Sequence, residues 1–113
     1  MTIIGYDFDG VITHGVRPIP GRSVIITGRS WKQHRHTLDQ MKALGVDCPV
    51  YFSPSPQNSS PEGAARWKAH LIEHIGISIF YEDDAMQAHM IEDLCPGVKV
   101  VLHDPKSRTV IPN

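Results

Sequence analysis

The chain has 113 residues, 41% hydrophobic and 20% charged, the composition of one ordinary globular domain rather than of a disordered, fibrous or multidomain chain. Eleven Lys and Arg against twelve Asp and Glu leave a net charge of −1, which excludes a generally polycationic nucleic-acid binder but allows a local basic patch. No apolar run approaches the ~20 residues of a membrane span and the N-terminus has no signal-type pattern, while Cys48 and Cys95 form neither a CxxC pair nor a disulfide framework, which fits a reducing cytoplasm.

The first apolar run, Ile3 to Phe8, reads as a buried strand and ends in Tyr6-Asp7-Phe8-Asp9-Gly10. Gly10 to Arg22 is too short for a crossover helix and reads as a compact turn plus a small hairpin-like flap. Val24 to Thr27 is a second strand, running out through Thr27-Gly28-Arg29. Ser30-Trp31-Lys32-Gln33 is a capping box that opens a helix ending at Gly45, with Trp31, His34, Leu38, Met41 and Leu44 as its inner stripe. Val50 to Phe52 is a third strand, followed by an irregular stretch from Ser53 to Ser59 with Pro54 and Pro56. Ser60-Pro61 caps and opens a second helix that stops at Gly76. Ile77 to Tyr81 is a fourth strand running into Glu82-Asp83-Asp84, after which a third helix ends before Cys95-Pro96. Val98 to Leu102 is the fifth strand. Short apolar runs alternating with helices predict a mostly parallel sheet with helices on its faces.

Ligands of such sheets bind at the carboxyl ends of the strands, and three of the five ends carry suggestive polar residues. Carboxylates from separate strands repel one another unless a cation lies between them, and hard oxygen ligands at this density suit Mg²⁺. Turn formation by Asp and Gly is the simpler reading of any one end, and a weak one for three together. Lys68 has Ala64, Leu71 and Ile75 on its own helical stripe, so it falls on the sheet-facing side. It either pairs with the acidic cluster or snorkels its ammonium to water.

These residues carry a family resemblance. Ile3-Ile4-Gly5-Tyr6-Asp7-Phe8-Asp9-Gly10-Val11 resembles the first motif of the haloacid dehalogenase-like (HAD) hydrolases, hhhhDxDG[TV]. Val24-Ile25-Ile26-Thr27-Gly28-Arg29 resembles the second motif, Lys68 the third by position, and Phe80-Tyr81-Glu82-Asp83-Asp84 the acidic fourth. The set is in family order and spans nearly the whole chain. The resemblance implies one catalytic domain over residues 1–113, a three-layer Rossmannoid α/β sandwich with a mainly parallel five-stranded sheet. Strand one would be central, with strands two and three on one side and four and five on the other. It also implies a Mg²⁺-dependent phosphatase in which Asp7 is the nucleophile and Asp9 the acid and base, a residue that the family's dehalogenases lack. Thr27, Gly28 and Lys68 would bind the phosphoryl group, with loop amides after Asp7 completing the cradle. Asp7, the carbonyl of Asp9 and Asp83 would hold the metal. Asp84 is either a further ligand or the N-cap of the third helix, and Glu82 is the weakest candidate. Neither of the family's usual cap insertions fits between these elements.

A capless site suggests a substrate large enough to cover it, such as a nucleic-acid end or phosphoprotein, or a small nucleotide or sugar phosphate covered by another copy in a homo-oligomer. Arg29 and His14 are candidate substrate contacts. Arg29, Lys32 and Arg35, with Trp31 and His36 between them, place cations at a helix start, where the dipole disfavours them. The rival from another class is a non-catalytic metal- or phosphate-binding regulatory domain, which would have no need of Asp9. His70-Leu71-Ile72-Glu73-His74 matches a zinc-protease pattern, but His70 and Glu73 lie opposite the Lys68 stripe and read as solvated. Cys48 and Cys95 read as small buried residues, and His34 as packed under the first helix.

Overall fold

The computed structural model describes residues 2–54 and 60–103. Five strands, β1 (Ile3–Tyr6), β2 (Ser23–Ser30), β3 (Val50–Ser53), β4 (Ile77–Glu82) and β5 (Lys99–Leu102), form one sheet in the order β3-β2-β1-β4-β5. Every pairing is parallel, so the mainly parallel sheet expected from the alternation is fully parallel among these strands, with β1 at its centre. Three helices join them: α1 (His34–Leu44), α2 (Pro61–Ile75) and α3 (Ala85–Leu94). The result is a Rossmann-like α/β sandwich.

Alternate strand residues point to opposite faces, and each face has its own core. Val24, Ile26, Ile77 and Phe80 pack against Ala65, Ala69 and Ile72 of α2 and Ile91 of α3. Ile4, Tyr6 and Ile25 pack on the other side with Phe8, Val11, Ile12 and Met41. Gly5 makes the first core possible: it pairs with Phe80, and a Cβ there would lie 2.7 Å from the Phe80 ring.

Helix boundaries follow local chemistry. Ser60 Oγ accepts the Gly63 N–H with Pro61 in the first turn, and Gly76 ends α2 in the left-handed conformation at φ +84°. Gly45 ends α1 in the same way. The Ser30–Gln33 capping box forms, but it opens a 3-10 turn, Trp31–Gln33, before α1 begins.

That turn changes the expected inner stripe: Met41 and Leu44 lie against the core as expected, but Trp31 and Leu38 do not. A 3-10 turn advances 3.0 residues per turn rather than 3.6, which shifts Trp31 out of phase with α1. Trp31 is 60% exposed and Leu38 45%, while Thr37 and Met41 face inward. His34 is half-buried and stacks on Trp31 rather than lying under the helix. The hairpin-like flap is likewise absent among the described residues: the segment after β1 holds a 3-10 turn, Ile12–His14, whose Val11 and Ile12 side chains are buried in the core. Part of the irregular stretch expected from Ser53 to Ser59, residues 55–59, lies outside the described residues.

Candidate active site

The carboxyl edge of the sheet opens into a cavity of about 280 Å³ lined by Asp7, Asp9, Gly28, Arg29, Lys68, Asp83 and Asp84, with Ser60, Pro61, Ala64 and Gln87. Four separate elements therefore deliver the sequence-derived candidates to one place. Thr27 lies buried one residue below Gly28, where its Oγ1 accepts the Arg29 N–H at 3.1 Å. His14 is exposed at the end of the first 3-10 turn and is not among the lining residues.

At the floor, Lys68 is 2% exposed and Glu82 fully buried. The Lys68 ammonium donates to Glu82 Oε1 at 2.9 Å and Gln87 Oε1 at 3.1 Å and lies 3.3 Å from Asp7 Oδ1. It is paired rather than snorkelled. Glu82 Oε2 accepts the N–H groups of Asp83 and Asp84, so both of its oxygens are engaged and it orients Lys68 and the loop after β4. This function of Glu82, and the contribution of Gln87, were not evident from the sequence; the one available signal for Gln87 was its place in the first turn after Asp83-Asp84. Asp84 caps α3, its Oδ1 accepting the Met86 and Gln87 N–H groups at the helix start.

Two buried carboxylates share one buried ammonium, leaving an uncompensated negative charge. Burial raises the Asp7 carboxyl well above its ordinary value, although Lys68 pulls it down. Burial also raises Glu82, against the opposing pull of Lys68. Burial by itself would lower Lys68, but the Asp7 and Glu82 carboxylates outweigh it and hold the ammonium above its usual value. A further cation at this position would favour the ionised form of Asp7. Asp7, Glu82 and Asp83 each bring one carboxylate oxygen within 4.8 Å of the others. With Asp7 Oδ1 engaged by the Phe8 N–H and Lys68, Oδ2 is the atom it can offer a metal or an electrophile. Gly10, at φ +83°, admits the Asp83 carboxylate to this position, since a Cβ there would overlap Asp83 Oδ2.

Arg29 forms the opposite wall. Its Nε and Nη2 fork onto Asp9 at 2.9 and 2.7 Å, while Nη1 donates to Thr37 Oγ1 and Gln40 Oε1 of α1. The guanidinium also lies 4.6 Å from the centre of the Phe8 ring. Asp9 nevertheless keeps a side chain 59% exposed. Arg29 thus holds Asp9 in place. The cradle of loop amides is only partly available, because the Phe8 and Gly10 N–H groups already go to Asp7 Oδ1 and Thr13 Oγ1.

No family model matches the chain, and no curated protein matches it significantly. The site rests on its own geometry. No helix among the described residues is long and apolar enough to cross a membrane.

Proposed function

We propose that the protein is a Mg²⁺-dependent phosphatase of the HAD type, hydrolysing a phosphate monoester through an aspartyl-phosphate on Asp7. The observation that carries this reading is the pairing of opposite charges in one cavity. Asp7 and Asp83 offer oxygens to a hard cation, while Lys68, Arg29 and the N-terminal end of α2 at Ser60 and Pro61 present positive charge to an anion. A phosphate ester with its metal needs both.

The donor set fits Mg²⁺: Asp7 and Asp83 would hold it, with waters and the substrate phosphate filling the remaining positions, and Glu82 would act from behind. The metal would neutralise charge on the phosphoryl oxygens and keep Asp7 ionised. Asp7 Oδ2 attacks phosphorus in line as the ester oxygen departs, and Asp9, at the rim, supplies the proton which that oxygen needs. Asp9 then takes a proton from the water that opens the acyl phosphate, releasing inorganic phosphate and restoring Asp7. Lys68 holds the Asp7 carboxylate and compensates the phosphoryl charge, while Thr27, buried below Gly28, holds the Arg29 N–H and shapes the end of β2.

The test is hydrolysis of an aryl phosphate and a panel of nucleotides, sugar phosphates and terminally phosphorylated oligonucleotides with Mg²⁺. Turnover that Asp7→Asn abolishes supports the reading. Wild-type turnover no greater than that of Asp7→Asn across the panel would instead favour a non-catalytic binding domain.

A further inference from the structure

Trp31 is the most exposed large apolar side chain among the described residues, and it is held in a fixed pose. The capping box fixes its turn, and the His34 ring lies parallel to the indole at 4.3 Å between centroids and 5° between planes. The His34 Nδ1 is 2.8 Å from the Trp31 carbonyl oxygen, and the Phe52 ring abuts the indole edge-on at 5.6 Å. With His34 backing the indole, its exposed area presents a flat, pre-oriented aromatic surface.

Its position gives that surface a use. Trp31 immediately follows β2, at the same carboxyl edge of the sheet as the cavity. Four residues at ~3.3 Å each put it within roughly 13 Å of Thr27 along the strand direction. Arg29, Lys32 and Arg35 surround it in sequence, and no Asp or Glu occurs between Gly28 and Leu38. Lys32 and Arg35 are exposed. A flat aromatic face among cations suits a base attached to phosphate, since any base can stack and its phosphates meet the cations.

We propose that Trp31, backed by His34, is a stacking platform for a nucleobase linked to the phosphate in the cavity. This rests on the phosphatase reading for the placement of that phosphate, and it names the substrate class: a nucleoside phosphate, free or at the end of an oligonucleotide.

The experiment is equilibrium binding to the full chain by titration calorimetry, with intrinsic fluorescence followed in parallel and Mg²⁺ withheld so that no turnover intervenes. The probes are a nucleoside 5′-monophosphate, a trinucleotide with a terminal phosphate, and ribose 5-phosphate. The base-bearing probes bind roughly tenfold more tightly than ribose 5-phosphate, a ratio in the range of one base–aromatic stack. Trp31→Ala collapses that ratio towards one, whereas Trp31→Phe keeps most of it while removing the fluorescence quench that distinguishes Trp31 from the half-buried Trp67. A trinucleotide tighter than the mononucleotide assigns the site to nucleic-acid ends; equal affinities assign it to free nucleotides. A wild-type ratio near one, or a ratio that survives Trp31→Ala, overturns the proposal. So does a dimer in light scattering that Trp31→Ala dissolves, which would make the indole an interface between copies. Base-dependent binding without any Mg²⁺-dependent hydrolysis would sink the phosphatase reading and leave the platform standing.

Discussion

The two sides of the cavity hold their charges in opposite ways. On the β4 side, Lys68, Asp7 and Glu82 are buried together, and each depends on the others for any compensation of its charge. On the β2 side, a mostly buried Arg29, held also by Thr37 and Gln40, grips an Asp9 that is largely exposed, so water can take Arg29's place at the carboxylate if the fork opens. Ion pairs of the first kind are costly to break, because removal of one member strands a buried charge. Those of the second kind contribute little to stability and leave the side chain able to work. The difference separates a buried floor that sets the charge of the site from a rim that, in the proposed reaction, handles protons and substrate.

The largest effect belongs to the floor. Lys68→Met strands two carboxylates and is expected to cost about 3–5 kcal/mol in urea unfolding, together with all activity. A loss below about 1 kcal/mol would show that the floor behaves like the rim.

The next effect is the dependence on pH and metal. Asp7 and Glu82 are raised in the folded chain, so above the ordinary Asp value of 3.8 the native state holds protons that the unfolded chain has lost. Metal-free stability therefore falls as pH rises from about 4 towards neutrality. Lys68, raised from 10.5, stays charged in both states over this window and adds no slope. If Asp7 and Asp83 hold Mg²⁺ as proposed, the ion replaces the missing compensation: at a hundred times its Kd it adds about 2.7 kcal/mol and flattens the slope, readable as melting temperature against pH with and without the ion. A slope of the opposite sign, or one that Mg²⁺ leaves unchanged, contradicts the charge assignment of the floor.

At the rim, Arg29→Gln is expected to lower stability by only about 1 kcal/mol while releasing Asp9. Its effect depends on the leaving group: turnover of alkyl phosphates, which need a proton on the departing oxygen, falls tenfold or more, and turnover of an activated aryl phosphate falls much less. Equal losses on both would place Arg29 in phosphate binding rather than in positioning Asp9. The smallest effect is Trp31→Ala, which removes an exposed ring and changes the free energy of urea unfolding by no more than about 0.5 kcal/mol.

The same division governs what could be read from the sequence. The parallel sheet, the α2 caps at Ser60 and Gly76 and the inward direction of Lys68 follow from local patterning, because a lysine on an apolar stripe has to find a buried partner; the strand order followed only from the family resemblance, and the sheet has that order. Glu82 stands out less than Asp83 and Asp84 in the sequence because its role is to serve Lys68, fourteen residues away on another element. The α1 face departs from its sequence pattern for a related reason. Arg29 draws Thr37 and Gln40, eight and eleven residues onward, towards the sheet, and the 3-10 turn shifts Trp31 outward; neither is visible in a 3.6-residue period. Val11 and Ile12, read as part of a flap, fill the core under the site because two apolar side chains next to β1 had an apolar face to join.

The most direct test is to trap the intermediate. Wild-type protein mixed with Mg²⁺ and an aryl phosphate, quenched in acid within a turnover and digested, should yield the peptide bearing Asp7 with one added phosphoryl group that hydroxylamine removes, and Asp7→Asn should yield none. Sustained hydrolysis with no phosphoryl group on Asp7 at any quench time would contradict the account.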